Sequence, residues 1–249
     1  MDPRYQGGFA SGAATAAAFD EGLRAYMLKV YNYMVVGLVL TGAVAFAVIN
    51  VPAISSLFFA TVQTSYGLAT QLTILGWIAL FAPLLFVWVF ASRLHSMDPN
   101  TAQTLFWVYA GLMGLALAPI VAVYTSMSIA KVFFMTAATF GAMSLYGYTT
   151  KRDLTRWGSF LMMGLIGIII AMVVNIFLAS PALHFAISVI GVLVFVGLTA
   201  YDTQRIKSMY AAADGTAVMT RKAIMGALQL YLDFVNLFLM LLMLFGNRE

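Results

Sequence analysis

The sequence predicts an all-α, polytopic membrane protein with seven transmembrane helices. Three observations lead there: 63% of the 249 residues are hydrophobic, only 9% are charged, and the apolar residues gather into runs long enough to cross a bilayer. A water-soluble domain carries roughly 25% charged residues. Lipid is therefore the expected solvent. Hydrocarbon offers the backbone no hydrogen-bond partners, so each run must close its own bonds as a helix.

A spanning helix needs about 20 mainly apolar residues, and seven runs qualify, at about 28–50, 69–92, 102–124, 127–149, 158–180, 183–207 and 223–246. Residues 1–25 read as a flexible cytoplasmic tail, rich in Gly, Ala and Ser and lacking the charged start of a cleavable signal. Residues 26–249 then form the transmembrane domain. The segment 52–66 is apolar but too short to span, and is expected to lie along the membrane surface. A polar loop with Asp214 and Gly215 joins helices six and seven, while the link at Ser180 and Pro181 is very short.

The basic residues set the orientation. With the N-terminus in the cytoplasm, eleven of the 13 basic residues fall inside and only Lys131 and Arg248 outside, so seven spans carry the C-terminus outward. These residues are scattered along the chain between apolar runs. The net charge of +4 is thus a topology signal and not a nucleic-acid surface. With no cysteine and two histidines in different segments, thiol chemistry is excluded and no resident cofactor is expected. No internal repeat marks a duplicated transporter.

Seven of the nine acidic residues lie in tails or loops; Asp202 and Asp233 stand on the last two helices. A carboxylate deep in a membrane helix costs about 2.5–3.5 kcal/mol, which is tolerated where the group is paired or functional. Gly226, Gln229, Asp233 and Asn236 form one stripe on helix seven at spacings of three and four. Ser188, Gly191, Thr199 and Asp202 form another on helix six, and Gly164, Ala171 and Asn175 a third on helix five. Small residues let helices approach and polar ones avoid lipid, so the three faces suit a common polar interior. Two carboxylates about 4 Å apart at an effective dielectric near 20 repel by about 4 kcal/mol, so such a pair tends to share one proton. It would sense pH and offer hard oxygen ligands to a passing calcium ion, which prefers six to eight oxygens and would bind only transiently. The plainer readings are an ion pair of Asp202 with Arg205 one turn on, and Asp233, Asn175, Gln229 and Asn236 as interhelical hydrogen-bonding residues.

Around these aspartates the chain resembles the Bax inhibitor-1 family, particularly its bacterial branch. The resemblance rests on Tyr201-Asp202-Thr203-Gln204, on Leu230-Tyr231-Leu232-Asp233-Phe234 with Asn236-Leu237-Phe238, on Tyr148-Thr149-Thr150-Lys151-Arg152-Asp153-Leu154, and on Met135-Thr136-Ala137 with Phe140. It covers the chain from about Tyr26 onward; Ala118-Pro119 departs from the Gly-Pro frequent in the family. The resemblance implies a seventh helix ringed by six others, and a pH-sensitive calcium leak through the bacterial inner membrane, with calcium and protons as the ligands handled. It further implies that Asp202 and Asp233 are the pH sensor, and that Arg93 at the end of helix two latches onto them. Some bacterial relatives lack the aspartates and modulate a membrane protease, so a non-catalytic regulator of such a partner is the alternative function. An intramembrane aspartyl protease is the remote one. It needs small residues before the second aspartate, where this chain has Tyr231 and Leu232. The expectation is a protein that is not an enzyme.

Overall fold

The computed structural model describes residues 6–64 and 67–247, with the side chains of residues 6–17, 67–69, Thr64 and His95 left aside. Eight helices and one hairpin follow in the order α1 (Gln6–Asn50), α2 (Pro52–Phe58), β1 (Phe59–Thr64), β2 (Gly67–Leu72), α3 (Ile74–Arg93), α4 (Pro99–Val121), α5 (Ser126–Thr149), α6 (Thr155–Leu178), α7 (Pro181–Ser208) and α8 (Thr216–Phe245). All but α2 are long and apolar enough to cross a membrane, which makes this a seven-span polytopic membrane protein.

Two boundaries differ from those expected. Helix α1 is continuous from Gln6, with no break near residue 25, and Tyr26, Met27 and Val30 are already buried. Residues 1–5 of the expected tail, and Arg248 among the outward cations, lie outside the described residues. The second span starts at Ile74 and not near residue 69, because residues 67–72 pair antiparallel with β1 from Phe59↔Leu72 to Thr64↔Gly67. Thr73 closes the hairpin and starts the helix. Its N–H donates to the Phe58 carbonyl at 3.0 Å, its hydroxyl donates to the Leu57 carbonyl at 2.6 Å, and its Oγ1 accepts from the Gly76 N–H at 3.1 Å. An N-cap of this kind fixes where a helix can begin.

Helix α8 is the centre of the bundle: 61% of its spanning window is buried, against at most 39% in any other helix. Its immediate neighbours are α1, α4, α5 and α7, while α3 packs on α4 and α6 packs on α7. The expected ring of six is thus four helices in contact and two outside them. The α5–α7 contact is close because Gly147 carries no side chain; a Cβ there would run into the Ala200 carbonyl.

Hydroxyl chains tie the helices across the bundle. Thr203 donates to the Thr199 carbonyl of its own helix at 2.7 Å, which uses its only hydrogen. Ser144 must then donate to Thr203 at 2.9 Å, and Tyr31 to Ser144 at 2.6 Å. One directed chain so joins α1, α5 and α7. By the same count Tyr231 on α8 donates to Thr41 on α1 at 2.6 Å, since Thr41 spends its hydrogen on the carbonyls of Ala110 (2.8 Å) and Gly37 (2.9 Å).

At the end of the bundle where α8 begins, its first turns are held by cations. Lys29 donates to Thr220 at 2.8 Å and Arg221 reaches the Met97 carbonyl at 3.4 Å. Lys222 pairs with Asp214 at 2.6 Å and donates to the Met209 carbonyl at 2.8 Å. On the α5–α6 loop, Gln204 grips backbone on both sides: it accepts from the Leu154 N–H at 2.8 Å and donates to the Arg152 carbonyl at 2.8 Å.

Replacing Gly147 by Ala should therefore push α5 from α7 and lower stability by about 1–3 kcal/mol, the usual penalty for overpacking. Thermal unfolding in detergent measures this, and an unchanged midpoint would show that the contact yields freely.

Candidate functional site: a buried carboxyl pair

Asp202 stands six residues before the end of α7, and Asp233 stands 17 residues after Thr216 on α8, about 25 Å along the axis at 1.5 Å per residue. Asp233 is thus deeper within its helix than the sequence suggested, because α8 begins several residues earlier than expected. Both side chains are buried, each with 5% of its surface exposed.

The two carboxyl groups face each other within hydrogen-bonding reach. An ionised carboxylate only accepts, so a bond between them requires a proton on one partner. Gln229, one turn before Asp233, donates from Nε2 to Asp202 Oδ1 at 2.8 Å. Asp233 Oδ2 is buried and has no hydrogen-bond partner. The site therefore holds one carboxyl supported by an amide and one with a free oxygen, in a setting that penalises a second negative charge.

The neighbouring helix turns explain why the pair forms here. Gly226 brings α8 against Ile206 of α7, where any Cβ would stand 2.8 Å from the Ile206 side chain. Within the Tyr201–Gln204 stretch, all four side chains are engaged. Tyr201 fills the space over Gly158, Asp202 meets Asp233, Thr203 ends the hydroxyl chain, and Gln204 holds the α5–α6 loop.

Other residues expected at the site lie elsewhere. Arg205 is exposed and forms no ion pair with Asp202, although its charge acts on that carboxyl. Asn236 donates to the Leu232 carbonyl of its own helix at 2.9 Å, satisfying itself within α8. Asn175 is at the far end of α6, where its Oδ1 accepts from the Ser180 N–H at 3.0 Å and shapes the turn into α7. The third polar face does not form, because α6 buries only Gly158, Leu161 and Ile168. Arg93 is exposed at the end of α3 and bonds to neither aspartate. Phe90 and Leu94 take the inward positions of that turn, which turns Arg93 away. The cation that does bridge from α8 to this region is Arg221, which the sequence had marked only as an inward charge. Among the described residues no group of three or more His, Asp or Glu gathers into a metal site, so the pair supplies at most two carboxylates to a cation.

A cavity of about 520 Å³ opens between α1 and α5 on the opposite side of the bundle from the α8 start. Thr41 lines it, as do Phe234 and Val235, the two residues that follow Asp233.

The family described as Inhibitor of apoptosis-promoting Bax1 matches residues 23–249. An uncharacterized protein of Rickettsia prowazekii is 53% identical over 231 residues, covering 93% of both chains. The inner membrane protein YbhL of Escherichia coli is 48% identical over 230 residues, covering 92% of this chain and 94% of its own. An uncharacterized protein of Caulobacter vibrioides is 49% identical over 232 residues, 92% of each.

A proton shared by the facing carboxyls would be given up once unfolding separates them, so stability should fall as pH rises through the titration of the folded pair. Asp233→Asn gives Asp202 a permanent donor, so its melting temperature should lose that slope and exceed the parent's on the alkaline side. Equal slopes in the two proteins would mean that no proton is shared.

Proposed function

The chain belongs to the Bax inhibitor-1 family, and on that premise we propose that it is a pH-sensitive calcium leak of the inner membrane gated by the Asp202–Asp233 pair. The observation that carries this reading is the pair itself: two carboxyls, buried between α7 and the central helix α8, facing each other with one oxygen unpartnered. When the pair holds a proton it bridges the two helices. When the proton leaves, two like charges in contact repel, and the α7–α8 contact is the one that must relax.

Calcium is the cargo here and not a resident ligand. Two carboxylates fall well short of the oxygens that calcium prefers, so an ion reaching them is held loosely enough to leave. The cavity between α1 and α5 supplies an approach from one side, since its lining includes the residues next to Asp233. On the other side the contacts of Lys29, Arg221 and Lys222 hold the start of α8. The excess of basic residues at that end orients it toward the cytoplasm, with the C-terminus outside. The similarity to an inner membrane protein of Escherichia coli supports the same location.

Purified protein in liposomes loaded with a calcium-sensitive dye should pass calcium at a rate that changes between acid and neutral pH. The double variant Asp202→Asn with Asp233→Asn should keep its fold and give a flat profile. A double variant with the parental pH profile would remove the pair from the gate, and parent protein without flux would remove the leak.

A further inference from the structure

We propose that the cavity beside the α5–α6 loop is a binding site for the phosphate headgroup of an anionic phospholipid. This cavity, of about 480 Å³, is distinct from the carboxyl pair and opens at the surface. Its walls carry Lys151 and Arg152 from the loop and Arg205 from α7, with Asp153 as the one carboxylate. Among the described residues none of the three cations has an ion-pair partner or a side-chain hydrogen bond. Asp153 offsets one of the three charges: its Oδ1 accepts from the Thr155 N–H at 2.9 Å, and hydrogen bonds from Thr155 hold its carboxyl below the usual carboxylate range, so it stays ionised and the walls keep an excess of two positive charges. Three adjacent unpaired cations repel one another, and an anion lodged among them relieves that repulsion.

The frame is fixed before any ligand arrives. Gln204 holds the loop by the Leu154 N–H and the Arg152 carbonyl, so the loop's backbone is anchored while its basic side chains stay free. Location selects a lipid over a free phosphate. Helix α5 ends at Thr149 and α6 begins at Thr155, so the loop turns where the bilayer meets water, the layer occupied by headgroups. One turn into α6, Trp157 and Phe160 stand exposed and edge to face at 6.3 Å. Tryptophan favours that interfacial depth, and the two rings offer an apolar wall for acyl chains beside the cations.

Native mass spectrometry of the full chain, released from micelles containing phosphatidylglycerol or phosphatidylcholine, tests the site. Phosphatidylglycerol should be retained and phosphatidylcholine lost. Each of Lys151→Gln, Arg152→Gln and Arg205→Gln should weaken retention about fivefold, the effect of one surface cation on an anionic lipid. Lys131→Gln, an exposed lone cation at the other end of α5, should change nothing. Equal retention by the triple variant and the parent would overturn the proposal, as would an equal loss from Lys131→Gln. Displacement of phosphatidylglycerol by millimolar inorganic phosphate would assign the site to free phosphate and overturn the lipid. Thermal unfolding of the triple variant should match the parent, because Gln204 grips backbone and not the replaced side chains.

Discussion

Hydrocarbon cannot answer a hydrogen bond, and the internal arrangement of this bundle follows from that constraint. Helices in lipid gain little from burying apolar surface against one another. What sets their register is the requirement that each polar side chain below the surface find a protein partner. The Tyr31–Ser144–Thr203 chain fixes α1, α5 and α7 relative to one another, and Tyr231 with Thr41 fixes α8 against α1 and α4. Gln229, Asp202 and Asp233 complete the set between α7 and α8. The last group differs in kind. Hydroxyl chains that end on a carbonyl are fully satisfied, whereas the carboxyl pair is satisfied only while it holds a proton and still leaves Asp233 Oδ2 without a partner.

That difference separates scaffold from site. The hydroxyl ties have no titratable member near neutral pH and so keep their geometry whatever the solution does. In the proposed gate the carboxyl pair is the element whose bonding would change with proton supply, and one of its members stands on α8, the most buried helix, which four others contact.

Much of this was legible in the sequence, and the exceptions have physical causes. Apolar length alone found all seven spans, because lipid enforces it. It placed the start of the second span too early, since Leu72 and the residues before it are apolar enough to extend the run; the Thr73 cap and the pairing of residues 59–72 decide the boundary. The aspartate pair was visible as two charges where charge is costly. Helical spacing correctly grouped Gln229 with Asp233, but it could not tell that Asn236 would turn back to its own helix or that Asn175 would serve a turn at the far end of α6. Arg93 stands at the helix end where the sequence puts it but faces away from the aspartates: a basic residue at a helix end has no facing direction in sequence, and Phe90 and Leu94 take the inward side. Gln204 stands out in the sequence only as part of a motif, since a glutamine that clasps backbone in a distant loop leaves no local pattern.

The turn between α6 and α7 bears on how the protein enters the membrane. Only Ala179 and Ser180 separate the two helices, and Ala179 adopts a left-handed conformation, φ 47°, to reverse the chain so tightly. Helix α6 is the most apolar of the seven spans, with a mean hydropathy of 2.7 and little of it buried, while α7 carries Asp202. So short a turn keeps the two helices antiparallel side by side, and α7 is itself apolar over its spanning window, with a mean hydropathy of 2.3, so Asp202 is carried near the end of a helix that lipid accepts.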